Sequence, residues 1–262
     1  MTSYYLDTSV QIERWFGAAS SQARIAEILN QGEGPQSTST HVRREWKRIV
    51  DQSAADILNT LVSADPADDL PRLIQGHGRE GNRRILVLFS LMKEGKGGDW
   101  TTDELRLRAH HMLRFRSEEM FRGGIAAVHD SSECGLVNNK VAPDQAGLYT
   151  LKTTCKKSEQ ICRQPDAIEE ELARWTAAAK KLQESPAHES MGKTGLKMAS
   201  TRTERKGRNC YEKTGDLSIA VDCPPDATVL TTDKSFEVMR PGVDRNVLKL
   251  PPTEPPPKGK ST

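Results

Sequence analysis

The chain has 262 residues, of which 35% are hydrophobic and 28% charged, with a formal net charge of +2. Its mean hydropathy of -0.64 leaves enough apolar residues for one core, and so small a net charge excludes nucleic-acid binding by bulk charge alone. Aromatic residues make up 5% of the chain, which argues against a broad base-stacking platform.

The opening segment MTSYYLDTSVQIERWF turns polar too soon for a secretory signal. No run approaches the roughly 18–20 apolar residues of a membrane helix. The expectation is a soluble cytoplasmic protein without a membrane partner. Its five cysteines are then thiols or metal ligands before they are disulfides.

In chain order, SYYL (3–6) predicts a short buried strand. Residues 20–34 predict an amphipathic helix with Ile25, Ile28 and Leu29 on one face, ended by glycines. Residues 37–65 predict a short extended piece entering a long helix, with Val42, Trp46, Ile49, Ile57, Leu58 and Leu61 inward. Residues 83–99 are apolar, and their period does not separate helix from strand. Residues 101–121 predict a charged helix capped by Thr101 or Thr102. Residues 131–165 are turn-rich. Residues 166–185 predict one secure helix, acidic at its start and basic near its end. The basic, glycine-containing stretch 188–209 predicts a loop. GDLSIAV (215–221) predicts a helix start or buried turn, and ATVLTTD (227–233) and NVLKL (246–250) predict strands. The Pro-rich tail 251–262 predicts disorder.

Two of these strands end in an acid, at Asp7 and Asp233. In a parallel sheet the carboxyl ends of strands line one edge, where ligands bind. Glu45, near a helix start, and Asp216, just after a glycine, lie between them in sequence. Carboxylates pressed together repel, so one is protonated or a cation balances them. Mg²⁺ or Mn²⁺ suits a few carboxylates plus retained waters, and such a site activates water for phosphodiester hydrolysis. Ser9 and Thr231 or Thr232 are placed to orient the acids. Taken singly, each acid reads as a solvated residue or a helix cap.

The stretches YYLDTSVQIERW, STHVRREW, GDLSIAV and ATVLTTDKSFE together resemble the PIN-domain nucleases, which include the VapC-type toxins of bacterial toxin–antitoxin pairs. The resemblance rests on Asp7-Thr8-Ser9 after the first strand and on Glu45 in a following helix. It rests further on Asp216 with Ile219 and Ala220, and on Thr231, Asp233 and Phe236. It implies an α/β fold with a small parallel sheet flanked by helices. It also implies an endoribonuclease with Mg or Mn held by Asp7, Glu45, Asp216 and Asp233, supported by Ser9 and Thr231. The interval from Glu45 to Asp216 is long for a compact domain of this kind. Residues 1–64 and 206–250 are therefore expected to form the core in two parts. Residues 65–205 are expected to be a mainly helical insertion bearing cysteines. An RNA substrate, an antitoxin or another protein partner, and a homodimer are all compatible with this reading. A DNA-directed nuclease and a non-catalytic module that recruits a partner through the insertion are the alternatives. An aspartate-nucleophile phosphatase is weaker, because Ser9 stands where its second acid would be.

Cys134, Cys155, Cys162 and Cys210 lie in or beside that insertion and would make a four-thiolate zinc or iron–sulfur site, although no tight pair of the usual zinc spacing is present. Cys223 reads as a core residue. Arg43, Arg44, Lys47 and Arg48 surround Glu45, and Arg205 and Lys206 lie in a basic run shortly before Asp216. Both clusters are candidates to hold an RNA backbone. His110 and His111 are adjacent on a helix and so face different directions, a poor metal pair.

Overall fold

The structure, a computed structural model, describes residues 2–63, 78–95, 97, 99–134, 140–151, 162–205, 207 and 209–251. Cys155, Lys206 and the tail beyond Pro251 lie outside the described residues, as do parts of the stretch 65–205.

Five strands make one sheet in the order β3-β2-β1-β6-β7. They are β1 (Ser3–Leu6), β2 (Ser37–Ser39), β3 (Ala127–His129), β6 (Ala227–Thr231) and β7 (Asn246–Lys249). A separate antiparallel hairpin joins β4 (Val141–Pro143) to β5 (Tyr149–Leu151). Every pairing in the main sheet is parallel. All five carboxyl ends therefore share one edge. The chain steps outward from β1 to β2 and β3, then returns to the other side of β1 as β6 and β7. The order thus reverses between β1 and β6, in register Ser3↔Ala227 to Leu6↔Leu230. A crevice at such a reversal is the general ligand position of open α/β sheets.

The alternation along β1 sorts the core. Tyr5 faces a large cluster with Trp46, Val229, Phe236 and Trp175, while Tyr4 and Leu6 face a smaller one with Ile25, Leu29 and Leu230. The helix α1 (Thr8–Phe16) starts at the Asp7 cap, and α2 (Ala19–Gln31) buries Ile25 and Leu29 as its period predicts. Residues 40–63 run as α3 (Thr40–Trp46), a π turn (Lys47–Asp51) and α4 (Gln52–Ser63). Val42, Trp46, Ile57, Leu58 and Leu61 are buried there as expected. The ambiguous apolar stretch is helical, as α5 (Gly78–Met92). Thr101 forms a capping box with Glu104 at the start of α6 (Thr102–His111), which runs through a second π turn into α7 (Ser117–Arg122).

Three elements differ from expectation. The helix expected over 166–185 is two, α8 (Gln164–Glu170) and α9 (Leu172–Glu184), broken at Glu171. The stretch 188–209 is not a loop, since Glu189–Ser200 form α10. Its glycines are an interface: a β-carbon on Gly192 would come within 2.2 Å of the Gln183 nitrogen. One on Gly195 would meet the Ala179 side chain at 2.9 Å. The strand β3 falls inside the stretch read as an insertion and extends the main sheet. The last two helices, α11 (Gly215–Asp222) and α12 (Lys234–Val243), bury Ile219 and Phe236. No described helix is long and apolar enough to cross a membrane.

Candidate functional site

Asp7 leaves β1 at the reversal point and is 3% exposed. Its Oδ1 accepts from the Val10 amide at 2.9 Å and from Ser9 Oγ at 2.8 Å. Its Oδ2 accepts from Thr231 Oγ1, at the end of β6, at 2.6 Å. The same hydroxyls tie the two strands together. Thr232 N donates to Ser9 Oγ and Asp233 N donates to Thr231 Oγ1, both at 2.9 Å. Ser9 and Thr231 thus each donate a hydrogen bond to Asp7.

Asp233 caps α12, accepting from Ser235 N at 2.8 Å. Ser235 Oγ donates to Asp216 Oδ2 at 2.9 Å, which joins the first turns of α11 and α12. Glu45 reaches the edge from α3. Its Oε2 accepts from Thr8 Oγ1, and its Oε1 lies where a β-carbon on Gly215 would approach to 2.6 Å. The four acids are thus linked through Thr8, Ser9, Thr231, Ser235 and Gly215. The starts of α1, α11 and α12 point their positive dipole ends into the group.

The electrostatics follow from this gathering. Burial pushes Asp216 up to about 8, helped by the charges of Glu45 and Asp233 and, more weakly, Asp7, against the Ser235 hydrogen bond. Burial raises Asp7 to about 6, opposed by Thr231, Val10 and Ser9 and reinforced by Asp233. Carboxylates that resist ionising because they are dry and face one another suit a hard divalent cation, and the donor set is all oxygen. As the side chains stand, each acid rests on a hydroxyl or an amide. Among the described residues no three His, Cys, Asp or Glu side chains are set to hold a metal ion together. The residues fit Mg²⁺ or Mn²⁺ by donor chemistry and mutual field, since each carboxylate keeps lone pairs beyond the hydrogen bonds it accepts.

No family model, curated protein or solved structure matches this chain significantly. The reading of the site therefore rests on its residues.

The cationic candidates separate. Arg44 is buried and its Nη1 lies 3.8 Å from Cys134 Sγ. Arg48 is exposed. Arg43 pairs with Glu118 at 3.0 Å. With Lys47 it lines a cavity on the far side of α3 from Glu45, since residues two apart stand roughly 200° round a helix. Arg205 corrects the expectation of an RNA contact. It is 3% exposed, and its guanidinium donates to the carbonyls of Met198 at 2.7 Å, Pro165 at 2.8 Å and Ala199 at 2.9 Å. Satisfying those carbonyls clips α8 to the end of α10 and leaves no donor face for a phosphate.

Cys134 and Cys162 are half-buried, and Cys210 and Cys223 are buried. Burial pushes Cys210 up to about 12 although Arg44 opposes it, so it stays a neutral thiol. Cys223 is a core residue, as expected. His110 and His111 make separate ring contacts, to Tyr149 and Phe115. Sequence reasoning missed Thr8, Gly215 and Ser235 as site members. The signal for Thr8 was its place in Asp-Thr-Ser. The sequence offers none for Ser235, whose contact crosses between two helix starts.

Proposed function

We propose that the protein is a divalent-metal-dependent nuclease acting on RNA, with Asp7, Glu45, Asp216 and Asp233 as the acidic centre. The supporting observation is the placement of Asp7 and Asp233 at the ends of the neighbouring strands β1 and β6, at the strand-order reversal, with Asp216 raised to about 8 by burial first and then by Glu45 and Asp233. The choice of RNA, and of a PIN-like nuclease in particular, comes from the sequence resemblance.

A bound Mg²⁺ or Mn²⁺ would supply Lewis acidity for phosphodiester hydrolysis. The chain's own part is positioning. Ser9 and Thr231 fix both oxygens of Asp7, Thr8 steers Glu45, and Ser235 steers Asp216. Near neutral pH Asp216 holds a proton that it releases when positive charge enters. The helix starts add fixed positive potential at the sheet edge, where a phosphate would sit.

The test is incubation of labelled single-stranded RNA and DNA with the protein, with Mn²⁺ or chelator. Metal-dependent cutting of RNA that falls about 100-fold or more in Asp7→Asn is expected. Cutting of DNA alone would replace the substrate. No cutting, with no Mn²⁺ binding by calorimetry, would leave the acids as helix caps in a non-catalytic module.

A further inference from the structure

A cavity of about 510 Å³ opens between the π turn after α3, the π turn before α7 and the β4–β5 hairpin. Its size falls in the range of small-molecule sites, roughly 300–1,000 Å³. Three kinds of group line it. Arg114 and Lys140 are exposed and make no ion pair among the described residues, and the half-buried Lys47 sets its charge against Asp51. Leu113 and Tyr149 form an apolar wall, with the Tyr149 ring edge-on to His110 at 5.1 Å between centroids.

Asp51, 6% exposed, forms part of the floor and accepts from Ser117, which is itself held by Trp46 Nε1 at 3.0 Å. A carboxylate has about four lone-pair sites, so a hydrogen bond from Ser117 still permits it to accept from a ligand N–H. Glu118 is neutralised by Arg43. The net offer is cations at the mouth, a flat aromatic side and a dry acceptor at the bottom.

We propose that this cavity binds a nucleoside phosphate. The phosphate lies on Arg114 and Lys140 as charge-assisted contacts. The base lies along Tyr149 and turns an amino edge to Asp51. Guanine fits best, because its N1–H and 2-amino group put two donors side by side against a carboxylate. The shared chemistry is a guanosine monophosphate unit, free in solution or as the 5′ end of an RNA strand.

The experiment is calorimetry on the full chain in chelator, which silences metal-dependent chemistry and makes the result independent of the acidic centre. The probes are guanosine monophosphate, guanosine and inorganic phosphate. Guanosine monophosphate is expected to bind at least about ten-fold tighter than either fragment. Lys140→Glu with Arg114→Glu, both on exposed side chains, is expected to lose that advantage while guanosine binding persists. Asp51→Asn is expected to weaken guanosine monophosphate and leave inorganic phosphate unchanged. Competition by a short RNA with a 5′-phosphorylated guanosine, but not by its 5′-hydroxyl form, would identify the strand end as the source, and no competition the free nucleotide. No binding at millimolar guanosine monophosphate overturns the proposal. So does binding no tighter than phosphate, or binding that survives charge reversal.

Discussion

At the scale of single residues, the acidic centre depends on one absent side chain. Glu45 Oε1 occupies the space a β-carbon on Gly215 would take, at 2.6 Å. That oxygen ends a flexible side chain, so Gly215→Ala is expected to keep the fold while pushing Glu45 off the centre. The expected outcome is a melting temperature within a few degrees of the parent and Mn²⁺ affinity lower by about ten-fold. Scanning calorimetry and metal titration measure both. Unchanged affinity would remove Glu45 from the site. Asp7 was legible because strand, acid and hydroxyls are contiguous in YYLDTS. The Ser235–Asp216 contact was not, because it is made between helix starts that the sequence keeps apart. Arg205 was misjudged for the converse reason. A basic residue in a polar stretch looks the same whether it meets solvent or, as here, the carbonyls of Met198, Pro165 and Ala199.

At the scale of elements, α9 is the post around which the carboxyl-terminal helices assemble. Gly192 and Gly195 bring α10 onto it from one side and Gly242 brings α12 from another, where a β-carbon would lie 2.5 Å from the Ala178 nitrogen. Trp175, on α9, donates from Nε1 to the Gly195 carbonyl at 2.9 Å. At Gly242 backbone is the obstacle, so nothing flexible can give way. Gly242→Ala is expected to destabilise by about 1–3 kcal/mol, read as a lower urea midpoint. Because α12 begins at Asp233, the same change is expected to weaken Mn²⁺ binding. A neutral effect would mean the helices cross with slack. This packing also explains why α10 is helical where its sequence predicts a loop. Its Gly, Ser and Thr content is unfavourable for a helix in isolation. Tertiary contact outweighs that here, since each missing side chain admits a neighbouring helix. The three residues of β3 close a short, alanine-rich apolar run, Ile125 to Val128, with little β preference of its own, and the edge of β2 makes it a strand. The β1, β6 and β7 strands were legible because their apolar runs are bounded by acids, prolines or turns.

At the scale of the whole molecule, the protein buries more carboxyls than its modest charge suggests. Burial lifts Asp7 and Asp51 to about 6, Asp222 to about 7 and Asp216 to about 8, from 3.8. Each holds its proton more tightly folded than unfolded. As pH climbs above about 4 the unfolded chain has already lost these protons, so stability falls until the folded values are passed. His41 acts at the other edge. Burial and the neighbouring Arg44 lower it from 6.5 to about 3, so below about 6.5 the unfolded chain gains a proton that the fold refuses. Between pH 6.5 and 8 His41 is silent and the carboxyls, Asp216 and Asp222 above all, decide the slope. The unfolding free energy from urea titration in chelator is therefore expected to fall across that window, by on the order of 1–3 kcal/mol. Mn²⁺ is expected to restore much of the loss at pH 8 and little at pH 6.5, because it favours the ionised acids it binds. Asp222 separates the two contributions. It lies away from the acidic centre, with its Oδ2 4.0 Å from His41 Nε2. Asp222→Asn removes one raised carboxyl and offers an amide donor to a neutral imidazole. That variant is expected to be more stable than the parent at pH 8, to converge with it as pH falls toward about 4, and to keep the full Mn²⁺ response. A parent midpoint that rises from pH 6.5 to 8 in chelator would mean these carboxyls ionise freely, and the case for a cation at Asp216 would lose its electrostatic basis.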